Sequence, residues 1–240
     1  MQLREAFQEV RATGKKKVAV LVDPDRFDMG SLEQWSERIK HFSPDFLFIG
    51  GSLITDQGFH DKVRAIKQAV NIPLILFPGS PTQLTPEVDA VLFLSLISGR
   101  NPELLIGHHV AAAPLIREMG IEPIATGYML IDGGTPTTAS YISNTQPIPR
   151  DKPGIAVSTA MAGEMLGMHC LYLDAGSGAA LPVPTSTIEQ VRKHTDLPII
   201  VGGGMRSRME IECAFQAGAD IAVVGTALEE EPELIADLVN

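Results

Sequence analysis

The sequence has only two cysteines, Cys170 and Cys213, and neither sits in a CxxC or a metal-ligand cluster. Each lies in an apolar run, so both read as buried reduced thiols, and no disulfide framework is expected. Cationic side chains are also scarce: 19 Lys and Arg against 29 Asp and Glu leave a net charge of −10. That argues against a general nucleic-acid binder, whose affinity comes from neutralising backbone phosphates, and against attraction to anionic membrane surfaces. The one basic cluster is Lys15-Lys16-Lys17. No apolar run approaches the ~20 residues of a membrane span. The opening Met1–Thr13 mixes polar and apolar residues and reads as an amphipathic helix, not a secretory signal, so a cytoplasmic protein is expected. There is no HExxH and no Walker lysine pattern, and six scattered histidines are assigned no role.

What is present is a regular alternation. Runs apolar on both faces read as buried strands at Lys17–Asp23, Asp45–Gly51, Ile72–Phe77, Ala90–Ile97, Ile121–Leu130, Met168–Asp174, Leu197–Val201 and Asp220–Gly225. Helical patterns follow most of them, at Ser31–His41, Asp56–Val70, Pro102–Met119, Pro153–Gly167, Ser186–His194, Ser207–Gly218 and Glu229–Val239. Doubly buried strands separated by helices imply a parallel sheet covered by helices. Eight of them without a composition break predict an α/β fold of the TIM (β/α)8-barrel type. Such a barrel takes about 250 residues, so residues 1–240 read as one domain.

Two connections break the pattern. Between the third and fourth strands lies only Pro78–Asp89, with three prolines. It is too short and too proline-rich for a helix, so helix 3 of the barrel is read as replaced by an extended segment. After the fifth strand, Asp132–Pro149 reads as a long polar loop. A loop that long in a compact domain is usually functional, and this one leaves the strand end where barrel active sites lie.

Three glycine-rich turns end the last three strands: Asp174-Ala175-Gly176-Ser177-Gly178, Gly202-Gly203-Gly204 and Gly225-Thr226. Glycine lets backbone approach a ligand closely, and exposed N–H groups ahead of a helix can hold phosphate oxygens. Tight βα turns would also use glycine, but three clusters on adjacent strands favour a phosphate cradle. A dinucleotide fingerprint does not fit, because its third glycine is absent. The first strand ends in Asp23-Pro24-Asp25 and the second in Gly50-Gly51-Ser52. A carboxylate and a hydroxyl on neighbouring strand ends could share Mg²⁺; equally, these residues could cap their loops. Asp174 could take a proton from a substrate hydroxyl, or cap the following turn.

Together LVDPD (Leu21–Asp25), FIGGS (Phe48–Ser52), Ala125–Pro149, YLDAGSGA (Tyr172–Ala179), VGGGMRS (Val201–Ser207) and VVGTALE (Val223–Glu229) resemble the geranylgeranylglyceryl phosphate synthases. The long stretch after the fifth strand resembles the larger, archaeal-type branch. The resemblance implies a phosphoglycerol geranylgeranyltransferase: the C3 hydroxyl of sn-glycerol 1-phosphate attacks geranylgeranyl diphosphate, an ether forms and diphosphate leaves. It implies that Tyr172, Leu173, Asp174, Ala175, Gly176, Ser177, Gly178, Gly203, Gly204, Gly225 and Thr226 bind the glycerol phosphate. It further implies that Asp23 and Ser52 hold Mg²⁺, with Asp25 a weaker second candidate, and that Asp174 is the catalytic base. Many relatives carry Glu in place of Asp174, one methylene longer. The DDxxD motif of chain-elongating prenyl synthases is not part of the family pattern and is absent.

The prenyl tail needs an apolar groove, which the helix-free Pro78–Asp89 segment could leave open, lined around Tyr128–Leu130 and Tyr141–Ile142. Alternatives are a phosphate-handling isomerase or lyase, which would want an acid/base pair or a strand-end lysine, and a non-catalytic phosphate- or flavin-binding barrel. Alanine and methionine on several faces of Pro102–Met119 and Pro153–Gly167 lead to an expected homo-oligomer. Without a membrane span, membrane contact is expected only transiently, for product release.

Overall fold

Eight short runs rich in Val, Ile, Leu and Phe pair side by side, all parallel, and close on themselves in the computed structural model, which describes residues 2–225. The strands are β1 (Lys17–Val22), β2 (Phe46–Ile49), β3 (Leu74–Leu76), β4 (Ala90–Leu96), β5 (Glu122–Leu130), β6 (Cys170–Asp174), β7 (Ile199–Gly202) and β8 (Ile221–Val224). Closure is made by β8 on β1, with Lys17 opposite Ile221 and Val20 opposite Val224. The expected barrel is therefore present. Strand ends differ from the sequence reading by a residue or two: Met168 and His169, for instance, precede β6.

The helices are α1 (Leu3–Thr13), α2 (Leu32–Phe42), α3 (Phe59–Ala69), α4 (His108–Met119), α5 (Thr138–Ser143), α6 (Pro153–Met165), α7 (Thr185–Arg192) and α8 (Arg208–Ala217). The expected closing helix, Glu229–Val239, lies outside the described residues. Pro102–Met119 is not one uniform helix, because Glu103–Gly107 winds as a wider π turn before α4.

Alternate strand residues face opposite ways. Phe46, Phe48, Ile75, Leu92, Ile124, Tyr172, Ile200 and Val223 fill the barrel, while Leu47, Leu76, Val91, Leu173 and Val201 join the layer under the helices. The starts of the strands are sealed by α1, whose Phe7 and Val10 join the interior cluster; Phe7 meets Phe46 edge-on at 5.2 Å. Glu122, the first residue of β5, anchors that seal by accepting hydrogen bonds from the N–H groups of Leu3 (2.7 Å) and Arg4 (2.9 Å). A carboxylate at a helix N-terminus satisfies orphan donors and suits the dipole. On the same face the buried Asp220 accepts from Arg192 Nη1 at 2.8 Å and from the Ile199 N–H at 2.9 Å.

Between β3 and β4 there is no α-helix, only a single turn at Pro81–Gln83. Gln83, 4% exposed, does the tethering that a helix would have done. Its Oε1 accepts from the Gly79 N–H at 3.0 Å, and its Nε2 donates to the Gly51 carbonyl at 3.0 Å. The segment after β5 departs from its sequence reading. The expected loop Asp132–Pro149 contains α5, started by a reciprocal cap in which Thr137 Oγ1 accepts from the Ser140 N–H and Ser140 Oγ accepts from the Thr137 N–H.

Candidate active site

The three glycine turns converge where β6, β7 and β8 end, because those strands are paired neighbours: Asp174 lies opposite Gly202, and Gly202 opposite Val223. Gly203 (φ +81°) and Gly176 (φ +91°) both need the left-handed region, and both sit where a side chain would collide. A Cβ on Gly176 would stand 2.7 Å from Thr137 Oγ1. Not every N–H of the cradle is free to bind. That of Ala175 donates to the Gly202 carbonyl at 3.0 Å, and that of Gly176 to Asp174 Oδ1 at 2.8 Å. Among the described residues, the N–H groups of Gly178, Gly203 and Gly204 have no acceptor. Leu173 and Ala175 are buried and contribute backbone and packing only. Gly225 is described; Thr226 lies outside the described residues.

Asp174 sits between this cradle and the barrel interior. Its Oδ1 holds the following turn through Gly176, so the turn-capping role is real. Its Oδ2 accepts from the Tyr128 hydroxyl at 2.6 Å. Burial raises the Asp174 pKa, and the bonds from Tyr128 and Gly176 draw it partly back. Burial likewise lifts Tyr128 and Tyr172 well above the ordinary phenol range, with the Asp174 charge adding to both. Tyr172 stacks on Phe77 at 5.1 Å and meets Tyr128 edge-on at 5.6 Å. Sequence reasoning reached Tyr128 only as groove lining, because its partner is 46 residues away.

Across the barrel mouth, Asp23 and Asp25 take different roles. Asp25 is spent on the next loop: Oδ2 accepts from Thr55 N–H and Oγ1, each at 2.8 Å, and Oδ1 from the Asp56 N–H at 3.0 Å. Asp23 uses Oδ1 for the Asp25 N–H, while among the described residues Oδ2 has a long ion pair with Arg26 at 3.7 Å. Its pKa is raised, chiefly by burial. A Cβ on Gly51 would stand 3.7 Å from Asp23 Oδ1, so the turn carrying Ser52 lies directly against the carboxylate. Ser52 makes no side-chain hydrogen bond among the described residues. A carboxylate oxygen with no hydrogen bond among the described residues and a nearby hydroxyl fit a hard cation that fills its other positions with water and phosphate oxygens. No group of three or more His, Cys, Asp or Glu placed to hold a metal ion occurs among the described residues.

Where the helix is missing, a groove of about 440 Å³ opens. Leu84, Val91, Phe93, Leu104, Ala112 and Ile116 are among its apolar lining, with Ser52, Leu53 and Tyr128 also on its wall. The wall from Val91 to Leu96 is about 17 Å long at the usual strand rise. Of the expected lining, Tyr128 and Ile142 belong to the groove. Met129 is turned into the packing layer, Leu130 into the barrel, and Tyr141 is 83% exposed. Cys213 is exposed, not buried. It falls between Ile211 and Ala214, the inward positions of α8, and so faces out.

The chain matches the PcrB family over residues 11–240. It is 48% identical over its full length to a geranylgeranylglyceryl phosphate synthase of Chitinophaga pinensis, covering 95% of that protein. It is 47% identical to the enzyme of the same name from Spirosoma linguale, over 96% of this chain and 93% of that one. Its fold is similar to the crystal structure of (S)-3-O-geranylgeranylglyceryl phosphate synthase from Thermoplasma acidophilum in complex with the substrate sn-glycerol-1-phosphate. That similarity has a TM-score of 0.93 at 32% identity and covers 100% of this chain and 97% of the other.

Proposed function

The chain belongs to the PcrB family, and from that premise we propose that it is a prenyltransferase joining sn-glycerol 1-phosphate to geranylgeranyl diphosphate through an ether bond. One observation carries the reading. A glycine cradle with open N–H groups and a buried carboxylate stands beside an apolar groove, and Tyr128 borders both. Phosphate isomerases and lyases need the cradle but have no use for the groove.

The open backbone N–H groups of Gly178, Gly203 and Gly204 bind the acceptor phosphate, and Gly176, Ser177, Gly225 and Thr226 are the other residues assigned to the cradle. Tyr172 and Asp174 border its inner side. The groove takes the prenyl tail, excludes water from the allylic carbon and fixes its approach. Asp23 and Ser52 are the residues that would hold Mg²⁺, which when bound supplies charge neutralisation for the departing diphosphate. Asp174 accepts the proton released when the C3 oxygen attacks. Its raised pKa suits a general base, since a buried carboxylate holds a proton more readily than an exposed one. A protonated nucleophile is tolerable at the start because the allylic carbon itself carries developing positive charge.

The whole chain is read as one cytoplasmic domain. No helix among the described residues is long and apolar enough to cross a membrane. Exposed Ile106 just before α4 and Val110 on it, with Ile155 and Met165 on α6, support assembly with further copies of the chain.

The test is a product assay with purified protein, Mg²⁺, labelled sn-glycerol 1-phosphate, and farnesyl, geranylgeranyl or heptaprenyl diphosphate. A geranylgeranyl ether, lost on adding EDTA, is the expected product. No ether with any donor would sink the reading.

A further inference from the structure

We infer that Tyr128 carries the acceptor's proton to Asp174, acting as a relay between the groove and a carboxylate that the groove does not reach. The inference rests on the prenyl-transfer reading above. Three observations lead to it. Tyr128 borders the groove, whereas Asp174, 5% exposed, is not part of its lining. The Tyr128 hydroxyl donates to Asp174 Oδ2 at 2.6 Å, a short bond of the kind a phenol makes to an ionised carboxylate. The other oxygen, Oδ1, is already tied to the Gly176 N–H and lies against Gly203, where even a Cβ would be 2.6 Å away. The acceptor hydroxyl and the allylic carbon have to meet between cradle and groove, and Tyr128 is the groove-lining residue whose hydroxyl is bonded to Asp174.

The step balances without any added reagent. The C3 oxygen uses an electron pair to bond the allylic carbon, whose bond to the diphosphate oxygen breaks, and diphosphate departs with that pair. The C3 hydroxyl proton passes to Tyr128 Oη as the proton of Tyr128 passes to Asp174 Oδ2. Asp174 then releases its proton to solvent when product leaves. The titratable groups facing Asp174 are Tyr128 from β5 and Tyr172 from its own strand; β7 presents only Gly202 and Gly203.

The experiment compares the wild type with Tyr128→Phe, Asp174→Asn and the double variant, measuring kcat and both KM values from pH 5 to 9. A relay predicts that Tyr128→Phe lowers kcat by about 100-fold, the usual scale of acid–base contributions. Both KM values should stay within about threefold, and the double variant should be no slower than the slower single, as for residues acting as one unit. A Tyr128→Phe kcat within about twofold of wild type, or singles whose effects multiply, overturns the relay.

A second measurement needs no variant and stands if Tyr128→Phe does not fold. Single-turnover rates of the wild type in H₂O/D₂O mixtures should fall on a bowed line, because two protons move together. A straight line means one proton moves, and excludes the relay. Failure of the parent reading looks different, since the wild type itself would then form no ether.

Discussion

Gly203 lies so close to Asp174 that a Cβ placed on it would stand 2.6 Å from Asp174 Oδ1 and 2.6 Å from the Gly176 nitrogen. Two glycine turns and one carboxylate thus share a space with no room for a methyl group. Gly203→Ala should therefore fail twice. The left-handed φ costs an L-residue roughly 1–2 kcal/mol, and displacing the backbone adds about 1–3 kcal/mol more. We expect a lower melting temperature and loss of protection by glycerol phosphate. A variant that melts and binds like the wild type would show that the cradle is looser than described.

Asp174→Asn should reduce kcat by about 10²–10⁴-fold, the range for loss of a general base. Glycerol phosphate should still raise the melting temperature, because the open N–H groups of Gly203 and Gly204 remain. The sign of the pH effect follows from burial, which raises the Asp174 pKa. A base works ionised, so activity is lost as pH falls through that raised pKa, above the usual carboxylate range. The limb should vanish in the Asn variant; an unchanged limb would assign it to another group.

Asp23→Asn should abolish the response to Mg²⁺ while leaving heat stability nearly unchanged, since the side chain is one-third exposed. Asp25→Asn should do the reverse. Its oxygens hold the Thr55 and Asp56 backbone, so it should lower stability by about 1–2 kcal/mol. Titrating Mg²⁺ against activity in both variants separates the two. Equal metal dependence in both would remove the distinction.

Ala112 stands in the wall of the groove on α4. Ala112→Phe should take up part of the groove and favour farnesyl over geranylgeranyl diphosphate, read as the ratio of kcat/KM values. A loss of one to three kcal/mol, roughly 10–200-fold, is the scale for a hydrophobic pocket misfit. Unchanged donor preference would place the tail elsewhere.

Asp220 should matter for folding alone. Asp220→Asn leaves Arg192 buried without its counter-charge, at a cost of about 3–5 kcal/mol in denaturant unfolding. It lies at the strand starts, opposite the cradle, so kcat per folded molecule should hold; a specific fall in kcat would contradict that separation.

Most of the barrel was legible because doubly buried strands have an unmistakable composition: Phe46–Ile49 and Ile199–Gly202 can only be interior. The missing helix was legible from Pro78, Pro81 and Pro86, which deny it N–H donors. The strand ends also marked Asp23, Ser52 and the glycine turns as candidates, and their roles toward metal and phosphate belong to the proposed function. What was hidden depends on register and distance. That Tyr128 meets Asp174 requires the pairing of β5 with β6, which fixes Tyr128 opposite Tyr172. The dual tether of Gln83 joins two loops that no local pattern connects. Two misses were avoidable. The Thr137 to Ser140 spacing is a helix-start signal for α5, and the inward positions Ile211, Ala214 and Ala217 leave Cys213 on the outer face.

The absent helix after β3 also has a thermal consequence. Among the described residues, β1, β2, β4, β5, β6 and β7 are each followed by a helix, but after β3 Val91, Phe93 and Ile116 border a space that protein does not fill. On the proposed reading, the lipid tail of the donor finishes the packing that a helix finishes elsewhere. Binding then resembles the last step of folding: it should carry a negative heat-capacity change, growing with each added isoprene unit, and raise the melting temperature in the same order.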